Sequence, residues 1–175
     1  MNETLKALQK FRDLVVAEAK ANLRKLGKDT SGKLSNSIKG EVKEMPNSIG
    51  VYFEMEPYGN FQDKGVSGTQ RKYPGTDYSY EPGIQNRPSP RHFDKWVVKK
   101  GIAPRSKSGK FLSRSGIKFA LAYHIQKYGI KPSLFFTKPF EAAYKTLPDT
   151  LIDKYGLDAE QLLNEILDKN LKNIK

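Results

Sequence analysis

Cysteine is missing altogether from this chain, tryptophan occurs once and histidine twice in 175 residues. Without thiols there is no disulfide framework, no thiolate metal site and no cysteine nucleophile. No run of about 18 apolar residues occurs, so no membrane-spanning helix is expected. The opening MNETLKALQKF lacks the basic, then apolar, then small-residue order of a secretory signal, and synthesis in a cytoplasm is the simplest expectation. Acidic residues are scarce in the middle of the chain, and that shortage dominates its charge.

The formal net charge is +12. Residues 1–60 carry ten basic and eight acidic side chains, and residues 132–175 carry six and seven. Residues 61–131 carry fifteen against four, so nearly the whole excess lies there. A concentrated positive field attracts polyanions and speeds their encounter. Apolar residues make up only 37%, yet nine Tyr and nine Phe can anchor a core, and the length suits a single domain spanning 1–175.

Leu5, Leu8, Phe11, Val15, Ala19, Leu23 and Leu26 recur at three- and four-residue steps, predicting an amphipathic helix over 1–27. Asn2 is its expected cap and Gly27 its stop. Alternation at Leu34, Ile38 and Val42, then at Ile49, Val51 and Phe53, predicts a β-hairpin over 33–56 that turns at EMPNS. Residues 64–90 show no period and read as a long loop or extension, either functional or disordered until assembled. Basic helices and a second loop follow over 89–131, with Ser89 capping and Pro90 at the first helical position. C-terminal helices are expected over 138–175, broken or kinked at Pro148 and capped again by Asp158. This is an α+β chain: a long N-terminal helix packed on a small antiparallel sheet, long basic loops and a helical C-terminal region.

Several chemistries are suggested and weakened by context. GKDTSGKLS at 27–35 holds most of the phosphate-cradling pattern G-x-x-x-x-G-K-[ST]. That loop needs a strand before it, a helix starting at the lysine and a hydroxyl next. Here a helix precedes, a strand is expected to follow, and Leu34 comes after Lys33. The related SKSGKF at 106–111 lacks the first glycine. Asp29 followed by Glu41-Val42-Lys43 resembles the acidic set of a metal-dependent nuclease, a lesser alternative. His92 and His124 have no convergent partners in sequence, so no catalytic residue, metal site or cofactor is expected.

Basic residues interleaved with aromatics make the middle a candidate contact for DNA or a protein partner. The basic set is Lys64, Arg71, Lys72, Arg87, Arg91, Lys99, Lys100, Arg105, Lys107, Lys110 and Arg114. Tyr73, Tyr78, Tyr80 and Phe111 are candidates for packing against neighbouring copies. No signature of sequence-specific readout occurs, so a free, sequence-independent nucleic-acid-binding protein is one alternative.

Three segments in order carry a resemblance. The amphipathic helix leads into TSGKLSNSI, the hairpin ends in YGNFQDKG, and IKPSLFFTKPFEAAYKTL opens the last helical region. This arrangement resembles the small neck and tail-completion (head-tail connector) proteins of tailed double-stranded DNA bacteriophages. The chain departs from the family pattern in the serine between Thr30 and Gly32, and in Gln62-Asp63-Lys64-Gly65. The resemblance implies a non-enzymatic virion protein, made in the bacterial host cytoplasm and residing in the neck or tail. It implies a homo-oligomeric ring, twelvefold or sixfold, between portal and tail tube, with neighbouring neck, portal or tail proteins. Genome DNA would pass through the channel, and no membrane is involved.

Overall fold

The structure is a computed structural model that describes residues 3–45, 48–103 and 105–172, with side chains described to Tyr155 and at Asp158. Its elements are helix α1 (Glu3–Lys25), a short helix α2 (Lys33–Ser37), strands β1 (Lys39–Met45) and β2 (Ser48–Glu54), and helices α3 (Tyr58–Lys64), α4 (Asp94–Lys99), α5 (Arg114–Tyr128) and α6 (Thr137–Lys172). Short 3-10 turns cover Ile84–Asn86 and Pro90–Phe93. The class is α+β, as the change of period along the sequence predicts.

The chain forms two compact units, one built from 1–22, 35–55 and 135–175, the other from 23–34 and 56–134. Apolar periodicity tells which face of a helix is buried, but not which distant segments share a core.

In the first unit, α1 buries Leu8, Phe11, Val15 and Ala19 of the expected stripe, with Ala7 beside them. Leu26, expected on the same stripe, lies past the end of the helix and is 48% exposed. β1 and β2 pair antiparallel, with Val42 opposite Val51 and Gly40 opposite Phe53. Phe11, Phe53, Phe136 and Phe140 form one aromatic cluster. Phe53 meets Phe136 edge-on at 5.3 Å between ring centroids, and Phe11 meets Phe140 at 5.8 Å. Edge-to-face pairs of this kind add to the burial of the rings themselves.

Two expectations at the chain's ends change. α6 runs through Pro148 without a break. The proline is exposed, and hydroxyls flank the missing donor: Thr146 Oγ1 donates to the Ala143 carbonyl and Thr150 Oγ1 to the Thr146 carbonyl. Asp158 does cap a helix, but it is α1. Its carboxylate accepts from the backbone N–H of Glu3 at 2.8 Å and of Thr4 at 3.0 Å, and from Thr4 Oγ1 at 2.8 Å. These are the orphan donors that a helix start leaves open. The expected cap Asn2 and the hairpin turn at 46–47 lie outside the described residues, as do the side chains of Leu162, Leu163, Ile166 and Leu167.

The expected hairpin starts late. Residues 33–37 are helical, not extended, because Leu34, Ser35 and Ile38 are all buried, a three- and four-residue spacing rather than alternation. Gly27 is the stop that the sequence suggests. With φ +62 its N–H donates to the Arg24 carbonyl, and the Lys28 N–H reaches back to the Leu23 carbonyl, both at 3.0 Å. That pair of bonds is a Schellman closure.

Candidate functional site

The second unit collects the charge. It holds nineteen Lys and Arg against six Asp and Glu, net +13, while the first unit holds twelve against thirteen, net −1. Its frame is made largely of hydrogen bonds. Val66 and Ile130 exchange N–H···O bonds at 2.9 and 2.8 Å, and Ser67 bonds Tyr78 and Tyr80 on its other side, both at 2.8 Å. Gly129 permits the approach: with φ +74, a Cβ there would lie 2.1 Å from the Val66 carbonyl oxygen. The N–H groups of Thr69 and Gln70 then satisfy the Gln126 and Lys127 carbonyls at the end of α5, each at 2.9 Å.

Gln126 is the hub of this frame, only 5% exposed. Its Nε2 donates to the carbonyls of Glu81 at 2.9 Å and Gly83 at 2.6 Å. Its Oε1 accepts from Arg87 Nε at 3.2 Å, and the Arg87 guanidinium lies over the Tyr123 ring. Nothing in the sequence marks this residue, since a glutamine on an amphipathic helix ordinarily faces water. The long loop is therefore hydrogen-bonded within its own unit.

The predicted contact residues divide accordingly. Tyr73 is half-buried and its N–H donates to Ser67 Oγ at 3.0 Å. Tyr78 packs edge-on against Phe61 at 4.6 Å, and burial pushes the Tyr80 phenol above its ordinary pKa. These three tyrosines are partly buried within their own unit. Phe111 stays 65% exposed, with the Arg105 guanidinium 4.0 Å above its ring. SKSGKF forms a tight hairpin tip there: Arg105 pairs with Phe111, and the Ser106 N–H donates to the Lys110 carbonyl at 2.8 Å.

Ten of the eleven predicted basic residues are exposed; Arg87 is half-buried. Arg114 pairs with Asp94 at 3.4 Å beside Lys118 at 3.0 Å, and the Lys118 hydrogen bond, with Arg114 nearby, holds Asp94 below the usual carboxylate range. Lys100 Nζ donates to the Gly27 carbonyl at 3.2 Å, and Arg105 to the Gly109 carbonyl at 3.2 Å. Lys64, Arg71, Lys72, Arg91, Lys99, Lys107 and Lys110 have no acidic partner within 4.0 Å among the described residues. Their field is uncompensated at short range, and Trp96, Phe119 and Tyr123 are exposed in the same unit.

The catalytic readings gain no support from the geometry. α2 does begin at Lys33, a helix where a strand is expected, but it spans five residues and Lys33 Nζ pairs with Glu56 at 3.1 Å. On the exposed face of β1, Lys43 Nζ holds Glu41 at 3.1 Å, and that hydrogen bond raises the lysine's pKa. Among the described residues no three His, Asp or Glu side chains are grouped to hold a metal ion. No described helix is long and apolar enough to cross a membrane.

Comparison with family models, with curated proteins and with solved structures yields no match. Two of the three segments on which the phage resemblance rests meet in space. Ser133 and Leu134 of IKPSLFF donate their N–H groups to the Asp63 carbonyl of YGNFQDKG at 3.1 and 3.0 Å. Leu134 takes φ +51 there, a conformation uncommon for leucine.

Proposed function

We propose that this chain is a structural subunit of the neck or tail of a tailed double-stranded DNA phage, without catalytic activity. Copies assemble into a closed ring that joins the portal to the tail around the DNA channel. The observation that carries this reading is the segregation of charge, +13 on one compact unit and −1 on the other. A subunit with two unlike parts suits heterologous contacts, which close into rings when the rotation permits. The unpaired cations suit a polyanion or an acidic partner surface. The juxtaposition of YGNFQDKG with IKPSLFF supports the resemblance, because residues about 70 apart in sequence form one local structure.

The test is the content of purified particles of the encoding phage. The chain is expected there in a copy number set by ring symmetry, sixfold or twelvefold, and its absence would end this reading. Exposed cations beside Trp96, Phe111 and Tyr123 also favour a second reading, a free nucleic-acid-binding protein. That protein would stay out of particles and bind DNA as a monomer or dimer, with affinity falling steeply as salt rises.

A further inference from the structure

A cavity of about 910 Å³ opens within the second unit, between α3, α4, α5 and the turn that follows α1. Leu34, Phe93, Leu121 and Ile125 give it apolar walls, and Trp96, 39% exposed, adds an aromatic one. This volume lies near the top of the range of about 300–1,000 Å³ found for ligand cavities. Lys28 and Lys100 also line it, both exposed, together with the half-buried Asp29, so its lining carries a net positive charge. Gln62 lines it too, and its buried Nε2 has no acceptor among the described residues. A desolvated donor of this kind is costly until an acceptor arrives.

The fitting occupant presents apolar side chains on one face and carboxylates beside them. Residues 159–168, AEQLLNEILD, have this chemistry. Leu162, Leu163, Ile166 and Leu167 recur at one-face helical spacing, and Glu160, Glu165 and Asp168 are the segment's only charges. The backbone of α6 continues helical to Lys172.

We infer that residues 159–168 of one copy dock in this cavity of a second copy, an acidic amphipathic helix in a basic-rimmed apolar groove. The contact joins one place on a copy to a different place on the next, so it repeats around a ring. It rests on the self-assembly reading above and supplies that reading with a named contact.

The absence of native thiols makes disulfide trapping a clean test. Ser31→Cys places a thiol on the cavity lining and Ala159→Cys one on the segment. Mixed as full-length chains under mild oxidation, these two should cross-link about tenfold faster than Ser31→Cys with Glu18→Cys on α1, because docking raises the local thiol concentration. Adding Trp96→Glu to the cavity chain, or Leu163→Glu with Leu167→Glu to the segment chain, should return the rate to that control. Trp96 is 39% exposed, so the melting temperature of its variant is measured alongside. If either does not fold, Lys28→Glu with Lys100→Glu, at exposed positions, should slow trapping instead.

Trapping no faster than the control would overturn the inference, as would trapping indifferent to every one of these changes. Closure within single chains of the Ser31→Cys, Ala159→Cys double variant, independent of concentration, would assign the cavity to the chain's own segment and overturn it too. Finding the chain in particles while trapping fails removes only this contact and leaves the proposed function standing.

Discussion

The two units of this chain both bury apolar side chains but differ in what else organises them. The first is near neutral and organised by rings: Phe11, Phe53, Phe136 and Phe140 interlock over the hairpin and two helices. The second carries +13 and is organised by hydrogen bonds, with Asp63, Ser67 and Gln126 among its buried side chains. Apolar packing is non-directional and roughly proportional to buried area. Buried hydrogen bonds are directional and fail abruptly when one partner is removed. In the second unit, hydrogen bonds hold irregular, highly charged loops in place.

The largest expected effect lies in the first unit. Phe11→Ala removes a buried ring that touches Phe53 and Phe140, and should cost about 3–5 kcal/mol by thermal or urea unfolding. Added salt should barely alter that loss. If Phe11→Ala proved mild, the contrast between the units would collapse. In the second unit, Gln126→Leu keeps side-chain bulk but strands the Glu81 and Gly83 carbonyls, with an expected cost of about 1–3 kcal/mol. Hydrogen exchange should rise across 66–87 in that variant, while amides of the first unit stay protected.

A pH effect is expected at the start of α1. Hydrogen bonds from the Thr4 and Glu3 backbone and the Thr4 hydroxyl, the Thr4 backbone bond foremost, hold Asp158 below its ordinary value of 3.8. A carboxylate lowered on folding contributes stability that is fully present above its unfolded pKa and lost as pH falls through the folded one. Asp158→Ala should therefore be less stable than the parent at neutral pH, and the two should converge below about pH 3.8 as the parent's carboxylate protonates. Parallel acid-unfolding curves for the two would rule out this role. The smallest effect on stability belongs to Lys107→Ala with Lys110→Ala at the exposed hairpin tip, within about 0.5 kcal/mol of the parent. If this tip touches DNA phosphates, the same pair should lower the salt slope of DNA binding by about two.

Much of the first unit is legible in the sequence. Its stripe on α1 and the alternation through Val42, Val51 and Phe53 follow from period alone. Its surprises are local: Pro148 tolerated inside α6 beside two threonines, and Asp158 capping a helix start more than 150 residues away. The second unit is legible in charge but not in form. No period runs through 64–90, because its order comes from carbonyls meeting Gln126 and from N–H groups capping α5. Side-chain bonds to distant backbone leave no pattern in composition. The same reason hides the cavity, whose walls come from five separate stretches of chain. GKDTS, so like a phosphate loop, lies on its edge as the turn after a helix stop.

The central claim is that this chain is a ring subunit at the junction of head and tail. Cryo-electron microscopy of intact particles of the encoding phage tests it most directly. The account predicts a closed ring in the neck or tail whose density fits the α1, β1–β2 and α6 unit, with the basic unit against DNA or an acidic neighbour. Particles whose every neck and tail density is accounted for by other chains would contradict it.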